Sequence, residues 1–287
     1  MQKTSAVEIL SWMENINNGL TGGACYNPKF LKPYHFVTLA LELKRYQEKD
    51  LHISNELADY AATMGLWDAI EIPSPSAISK NKRATKFLPI EPLKSLNTVQ
   101  NTAEKIMGIL NPHCADKNTA ESLSCMLLEL LENCFAHAAI DQGLHGLVCA
   151  QPWANGKLAQ IALVDSGVGI RNSLSANPEL RSRVDGENSC ELATEYGITG
   201  KPEKGHTGYG LTLARDLIEQ NIGNLIIVSK SELFQSCEKK LHKQYCELPW
   251  HGTLILLELN TDRALDSADV FNKWPLPKGY TNEDFDF

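Results

Sequence analysis

Three short stretches in the second half of the chain carry residues able to do chemistry together: Glu129-Leu-Leu-Glu-Asn133, Asp165-Ser-Gly167-Val-Gly169-Ile170 and Gly205-His-Thr207-Gly208-Tyr209-Gly210-Leu211. Glu129 and Asn133 stand four apart in a helical pattern, so they share one face, which Met126 and His137 extend by a turn in either direction. An amide oxygen beside a carboxylate suits a Mg²⁺ ion that keeps several waters and bridges phosphates. A carboxylate one turn away can polarise an attacking water or hydroxyl. Taken alone, such a pair is more often two hydrophilic residues on a solvated helix face.

Asp165 follows the apolar run Ile161-Ala-Leu-Val164. A carboxylate at the end of a buried strand is costly unless it is paired or serves a ligand. Gly167 and Gly169 let backbone approach closely, so the acceptor can meet the exocyclic amine of a flat base such as adenine. The plain alternative is a strand-ending turn, for which Asp-Ser-Gly is ordinary. Gly205, Gly208 and Gly210 precede the amphipathic start Leu211-Thr-Leu-Ala-Arg-Asp-Leu-Ile218. Amides at a helix N-terminus, unobstructed by side chains, bind phosphate. The loop follows no strand and has no Lys-Ser/Thr pair, so neither a dinucleotide fingerprint nor a P-loop is met. Gly252-Thr253 opens the last strand, where the hydroxyl could reach the base beside Asp165; threonine in a strand is otherwise simple β-propensity.

The elements that must hold these residues are legible in outline. Ser5-Ala-Val-Glu8 reads as a capping box for a helix with Ile9, Leu10, Met13 and Ile16 on one face. Phe36 to Leu43 suits a buried helix or strand, Leu51-His-Ile53 a short strand, and Glu56 to Ile70 a helix. Pro73 to Pro92 is rich in proline, serine and lysine and reads as a domain boundary. Beyond it come a helix from Val99 to Leu110 and a longer one from the N-cap Asn118 to about Ala138, with Leu123, Leu127, Leu130, Leu131 and Cys134 as its stripe. Strands Leu144 to Trp153 and Leu158 to Val164 meet at Asn155-Gly156, a strong hairpin signal. A polar segment over 171–207 leads to a helix from Gly210 to Gln220, and strands Asn224 to Lys230 and Thr253 to Leu259 follow. This order predicts an α+β fold: a two-layer sandwich with helices on one face of a mixed, mostly antiparallel sheet. A smaller α/β N-terminal domain with its linker would occupy 1–92, the site domain 93–262, and a C-terminal tail 263–287.

The chain has 287 residues, 43% hydrophobic and 22% charged, with a net charge of −8 that argues against a broad grip on nucleic acid. The basic cluster Lys80-Asn-Lys82-Arg83-Ala-Thr-Lys86 reads as a solvated linker. No apolar run reaches the length of a membrane span and no signal pattern opens the chain, so a cytoplasmic protein that does not enter a membrane is expected. Eight cysteines are scattered without a CxxC pair. Cys237, His242, Cys246 and His251 could make a zinc site in one loop, but Lys239, Lys240 and Lys243 oppose it and an ordinary loop is the better reading.

In this order the three motifs resemble the GHKL ATPase family, the ATP-binding domains of gyrase, Hsp90, MutL and histidine kinases, over roughly residues 99–260. The resemblance implies the Bergerat fold, with ATP and Mg²⁺ as cofactors. It makes Glu129 the catalytic base and Asn133 the Mg²⁺ ligand, with Asp165 on adenine. Gly167, Gly169 and Ile170 would form the first glycine box, and Gly205, Thr207, Gly208, Tyr209, Gly210 and Leu211 the second. His137 and Thr253 would complete the nucleotide contacts, and 171–207 would be a mobile lid over the phosphates.

Sensor histidine kinases carry a phosphoacceptor histidine in a particular context, which His35, His52 and His113 lack. Gyrase, MutL and Hsp90 relatives draw a lysine from a further domain, for which only a short tail follows Asn260. What remains is similar to stand-alone bacterial anti-sigma-factor serine kinases, whose partner has a STAS fold. Residues 33–72 resemble, loosely, the late half of a STAS domain, but Pro33-Tyr-His-Phe-Val-Thr38 lacks the Asp-Ser phosphosite, leaving Thr38 as the nearest hydroxyl. Two functions are therefore expected: a Ser/Thr protein kinase or slow ATPase acting on a STAS-like or other regulatory protein, or a nucleotide-gated interaction module without turnover. The resemblance also allows a homodimer.

Overall fold

The run Leu158-Ala-Gln-Ile-Ala-Leu-Val-Asp165 is apolar nearly throughout rather than alternating, the pattern of a strand covered on both faces. The computed structural model, which describes residues 2–46, 53–73, 87–137, 143–202 and 207–275, makes it the central strand of an antiparallel sheet. The strands are β1 (Leu88–Leu93), β2 (Gly146–Trp153), β3 (Leu158–Asp165), β4 (Asn224–Cys237) and β5 (Lys240–Asn260), in spatial order β1-β2-β3-β5-β4. Every pairing among them is antiparallel, not mixed; the parallel bridge Cys25–Ile53 lies outside the sheet.

The β2–β3 hairpin closes through a short 3₁₀ turn, Ala154–Gly156, and it is Lys157 (φ 48°) that adopts the left-handed conformation, not the Asn-Gly pair. The last two strands run far beyond their expected ends. Residues 231–252, expected as a loop, extend the pairing into a ribbon that turns at Glu238 (φ 52°) and Lys239 (φ 66°), both left-handed as a two-residue hairpin requires. Leu233, Cys246 and Trp250 give the ribbon a buried side, while lysines and glutamates hide its strand character in the sequence. Cys237 pairs with Lys240 and His242 with Gln235, so the four zinc candidates are strung along two strands. Among the described residues, no group of three or more His, Cys, Asp or Glu side chains could hold a metal ion.

Both sheet faces are apolar, and both are covered. Ile161, Leu163, Ile227 and Leu257 pack against α5 (Val99–Leu110), α6 (Lys117–His137) and, after the segment described below, a helix from Gly210 to Gln220. α6 starts two residues earlier than expected, because Asp116 rather than Asn118 caps it: its Oδ1 accepts the Thr119 N–H at 2.7 Å. On the opposite face Ala162, Val164, Ile226, Val228 and Leu256 meet α1 (Ala6–Leu20), α2 (Pro33–Arg45), α3 (Asn55–Thr63) and α4 (Leu66–Ile70). The architecture is thus three layers, where two were expected, and α1 to α4 join the core of the sheet.

Among the described residues, the segment ahead of β1 is helical apart from the Cys25–Ile53 bridge. α2 resolves the helix-or-strand ambiguity, and the Glu56–Ile70 helix is broken at Gly65, which takes φ 73°. Of the expected strand, Leu51 and His52 lie outside the described residues, as do 74–86 with their basic cluster. β1 begins at Leu88, so the sheet itself crosses the boundary expected at 92. His35 is a core residue: burial pushes it down to about 3, its Nδ1 accepts the Lys32 N–H at 2.9 Å, and its ring stacks on Tyr34. Thr38, fully buried, donates to the Tyr34 carbonyl and accepts the Trp12 indole N–H at 2.8 Å. Both side chains lie in the core, away from the surface. Among the described residues, no helix is long and apolar enough to cross a membrane.

Candidate functional site

At one end of the sheet, between α6 and the sheet, lies a cavity of about 250 Å³ that draws on all three motifs. α6 contributes Glu129 and Asn133, the end of β3 contributes Asp165, and Gly169 and Ile170 follow it. Thr253 of β5 sits directly opposite Asp165 in the strand register. Thr207, Gly208, Tyr209, Gly210 and Leu211 complete the wall. Gly167 is not on that wall; its N–H donates to Asp165 Oδ1 at 2.7 Å and so fixes the carboxylate. Gly205 and the side chain of His137 lie outside the described residues.

Asp165 has one side open to the cavity and protein around the rest. Burial pushes its carboxyl up from 3.8 to about 6, against the donors Gly167 and Thr253 and the charge of Lys230. A carboxylate held this way, away from water, is an acceptor in want of a donor. The backbone makes room for it: Gly252 (φ 88°) lies so close to the Asp165 carbonyl that a side chain there would overlap it. Gly169 (φ 85°) lies against Ser229 and Lys230, and the Ser229 hydroxyl accepts the Ile170 N–H at 2.9 Å.

Across the cavity, α10 (Gly210–Gln220) points its N-terminus inward, and no side chain caps its first turn. Uncapped amides with the helix dipole behind them form an anion site. Gly210 also lets α10 approach α6: a Cβ there would stand 3.1 Å from Asn133 Nδ2 and 3.2 Å from Glu129 Oε2. Alanine is a good residue for a first helical turn, so Gly210→Ala should melt within about 1 kcal/mol of the parent. Its methyl group would nevertheless displace the carboxylate and amide, and binding of any anion bridging α6 and α10 should weaken about tenfold. Calorimetry beside a melting curve checks both halves of that expectation.

The segment expected as a lid is built differently. Much of 170–200 folds into α7 (Ile170–Ser175), α8 (Arg181–Gly186) and α9 (Ser189–Leu192) around a small core of Leu174, Leu180, Val184 and Leu192. Arg171 pins it to β4 through two bonds to the buried Glu232 (3.0 and 2.7 Å), which also accepts the Ser189 N–H. Arg183 joins Glu187 and Glu195 on its surface. It forms part of the cavity wall through Ser173, Leu174, Ala193 and Ile198 to Gly200.

Sequence reading missed these residues, because the segment is polar and short of periodic signal. Two others had a signal. Glu132 stands three residues from Glu129 on α6, and Ile255 two residues from Thr253 on β5; both line the cavity. With Glu129, Glu132 and Asp165 the wall carries three carboxylates and, among the described residues, no Lys, Arg or His. A polyanion entering here must bring a cation with it or lean on backbone amides.

Comparison with protein-family models and with curated proteins gives no match. What fold and site define together is an α+β protein whose acidic cavity sets a desolvated aspartate across from an uncapped helix N-terminus.

Proposed function

We propose that this cavity binds Mg²⁺-ATP in the manner of a GHKL-type, Bergerat-fold domain, and that the protein uses it in the cytoplasm to phosphorylate a regulatory protein or to hydrolyse ATP slowly. One observation carries the reading: motifs separated by about 30 to 120 residues of chain line one cavity in complementary roles. Asp165, held by Gly167 and Thr253, offers adenine an acceptor for its exocyclic amine. Ile170, Leu174 and Ile255 supply apolar wall for a base. The N-terminal amides of α10 suit the phosphates, and the glycines there keep side chains out of the way. Asn133 would hold Mg²⁺ with its amide oxygen, Glu132 beside it, and the bound ion would neutralise phosphate charge that three carboxylates otherwise repel. Glu129, a turn before Asn133 on the same helix, would take the proton from an attacking hydroxyl or water.

The reading predicts that Glu129→Ala keeps Mg²⁺-ATP affinity within about threefold but loses phosphate release or transfer by about a hundredfold or more. Incubation with γ-labelled ATP, alone and with candidate STAS-like proteins, reads the reaction. Equal turnover in parent and variant would remove Glu129 from catalysis. A second reading, a nucleotide-gated interaction module without turnover, is favoured by the folded 170–200 segment, which forms one wall of the cavity and presents its other side to solvent. ATP-dependent pull-down that survives Glu129→Ala, with no phosphate released by the parent, selects it.

A further inference from the structure

The C-terminal segment reaches the site. After β5 the chain crosses to α6 and α10: Thr119 Oγ1 accepts the Leu265 N–H at 3.0 Å, and Ser122 Oγ accepts the Ser267 N–H at 2.8 Å. Asp266 then caps α11 (Ser267–Phe271), and Gln220 of α10 donates to Asp269 at 3.0 Å. Three residues on, Trp274 is fixed at both ends. Its indole N–H donates to Asp216 Oδ2 on α10 at 2.8 Å, and its ring packs edge-on against Phe271 at 5.1 Å.

Trp274 also completes an aromatic cluster with Tyr196 and Tyr209. The two tyrosines stack at 4.6 Å with 19° between planes, and their hydroxyls are 3.0 Å apart. Trp274 lies 5.2 Å from the Tyr196 ring and 5.5 Å from the Tyr209 ring. The Tyr196 hydroxyl also lies 3.0 Å from the Pro275 carbonyl.

Tyr209 is the residue that matters for the site. It lines the cavity and stands between Gly208 and Gly210, immediately before the uncapped turn of α10. Gly208 is left-handed (φ 74°) and a Cβ there would overlap the Ile198 carbonyl, and glycines on both sides of Tyr209 leave this stretch conformational freedom to lose when a ligand binds. Within Gly208-Tyr209-Gly210, only Tyr209 has a side chain with which the turn can be held, and that ring is contacted by Tyr196 of the 170–200 segment and Trp274 of the C-terminal segment.

We infer that Trp274, packed across the edges of the stacked Tyr196 and Tyr209 rings, is a positioning residue that preorganises the helix N-terminal amides for an anionic ligand. The inference rests on the proposed ATP reading for the identity of that ligand, not for the existence of the clasp. Order supplied in advance by the packed aromatic rings does not have to be supplied by the ligand, so loss of the clasp weakens binding without removing any contact to it.

The test compares the full chain with Trp274→Ala and Trp274→Phe. Amide hydrogen exchange of the ligand-free proteins is read over 207–212, with β2 and β3 as the internal control for folding. Exchange over 207–212 is expected to rise about tenfold in Trp274→Ala and to stay near parental in Trp274→Phe, which keeps a ring for the edge contacts with the two tyrosines. Titration with Mg²⁺-ATP should show affinity falling about tenfold in Trp274→Ala and no more than about threefold in Trp274→Phe. Parental exchange over 207–212 in Trp274→Ala, or parental affinity in a protein that binds ATP, overturns the inference. Accelerated exchange across β2 and β3 in both variants also overturns it, since Trp274 would then support the whole fold. A parent chain that binds no ATP sinks the nucleotide reading alone, and the exchange measurement still decides the clasp.

Discussion

Asp165→Asn is expected to lose Mg²⁺-ATP binding by about a hundredfold or more while melting no lower than the parent at pH 7. Both halves follow from one side chain. The Gly167 amide and the Thr253 amide and hydroxyl all bond the carboxyl group. In the carboxamide these donors claim the single carbonyl oxygen and turn the NH₂ toward the cavity, where an adenine amine would meet another donor. An unmade hydrogen bond in a site built for it discriminates far more strongly than a lost apolar contact.

The stability half rests on the raised pKa. Folding lifts the Asp165 carboxyl from 3.8 to about 6, burial being the largest cause. The native state therefore binds the proton more tightly than the unfolded chain, and ionisation opposes folding. That penalty is absent below pH 3.8, grows as pH rises to 6, and is complete above it, where the gap amounts to roughly 3 kcal/mol. The neutral asparagine escapes the penalty but loses part of the gain where its amide cannot satisfy every donor. Melting curves at pH 7 and pH 4 should show the variant's relative advantage shrinking as pH falls. A variant that binds ATP like the parent would take Asp165 out of the site, and one that melts far below the parent at pH 7 would make the residue structural.

The second large effect is expected far from the cavity, at Glu258→Ala. Glu258 is fully buried on β5, on the face covered by the N-terminal helices. Its oxygens accept the Thr4 N–H at 2.7 Å, the Thr4 hydroxyl at 2.6 Å, Gln160 Nε2 at 2.8 Å and Asn224 Nδ2 at 2.8 Å. Lys32, also buried, brings its ammonium to 3.8 Å. Removing the carboxylate leaves the Thr4 N–H and hydroxyl without their acceptor, leaves Gln160 and Asn224 only their bonds to Thr4, and strips the buried Lys32 of its countercharge. Breaking a buried pair from one side costs about 3–5 kcal/mol, mostly as the penalty on the groups left behind. Urea denaturation should place the loss in that range. Amide exchange should rise first in α1, because Thr4, immediately ahead of its N-cap Ser5, ties that helix to the sheet. A loss below about 1 kcal/mol would mean that water replaces the carboxylate and that the N-terminal layer is held by its apolar contacts alone.

How much of this was legible depends on the reach of each contact. α1 could be read from its capping box and α5 from Asn111-Pro112, since both signals are local. α10 could be read from the glycines before it and the apolar stripe within it. Sheet pairing was legible where runs were apolar throughout, as in β3, and illegible in the ribbon beyond Lys230. There Lys239, Lys240 and Lys243 are exposed, and the buried apolar residues, Leu233 and Phe234 on one strand and Cys246 and Trp250 on the other, are few and set among polar ones. The three-layer arrangement was hidden for a different reason. An apolar strand buried on both faces announces that something covers each face, but not which helices do so.

By itself the sequence determined which residues can do chemistry and the elements that carry them. Glu129 and Asn133 share a face because a helix repeats every 3.6 residues. Asp165 ends a strand because the apolar run stops there, and Gly208 precedes a helix opening at Gly210 because its stripe begins at Leu211. Tertiary structure alone decided that these elements meet around one cavity, that α1 to α4 close the second face of the sheet, and that Trp274 closes on Tyr209. The physical reason is the same in each case. Thr4 with Glu258 and Tyr196 with Trp274 are contacts between groups far apart in the chain, set by packing and hydrogen-bond satisfaction in the assembled core. Such contacts leave no period and no local motif to read.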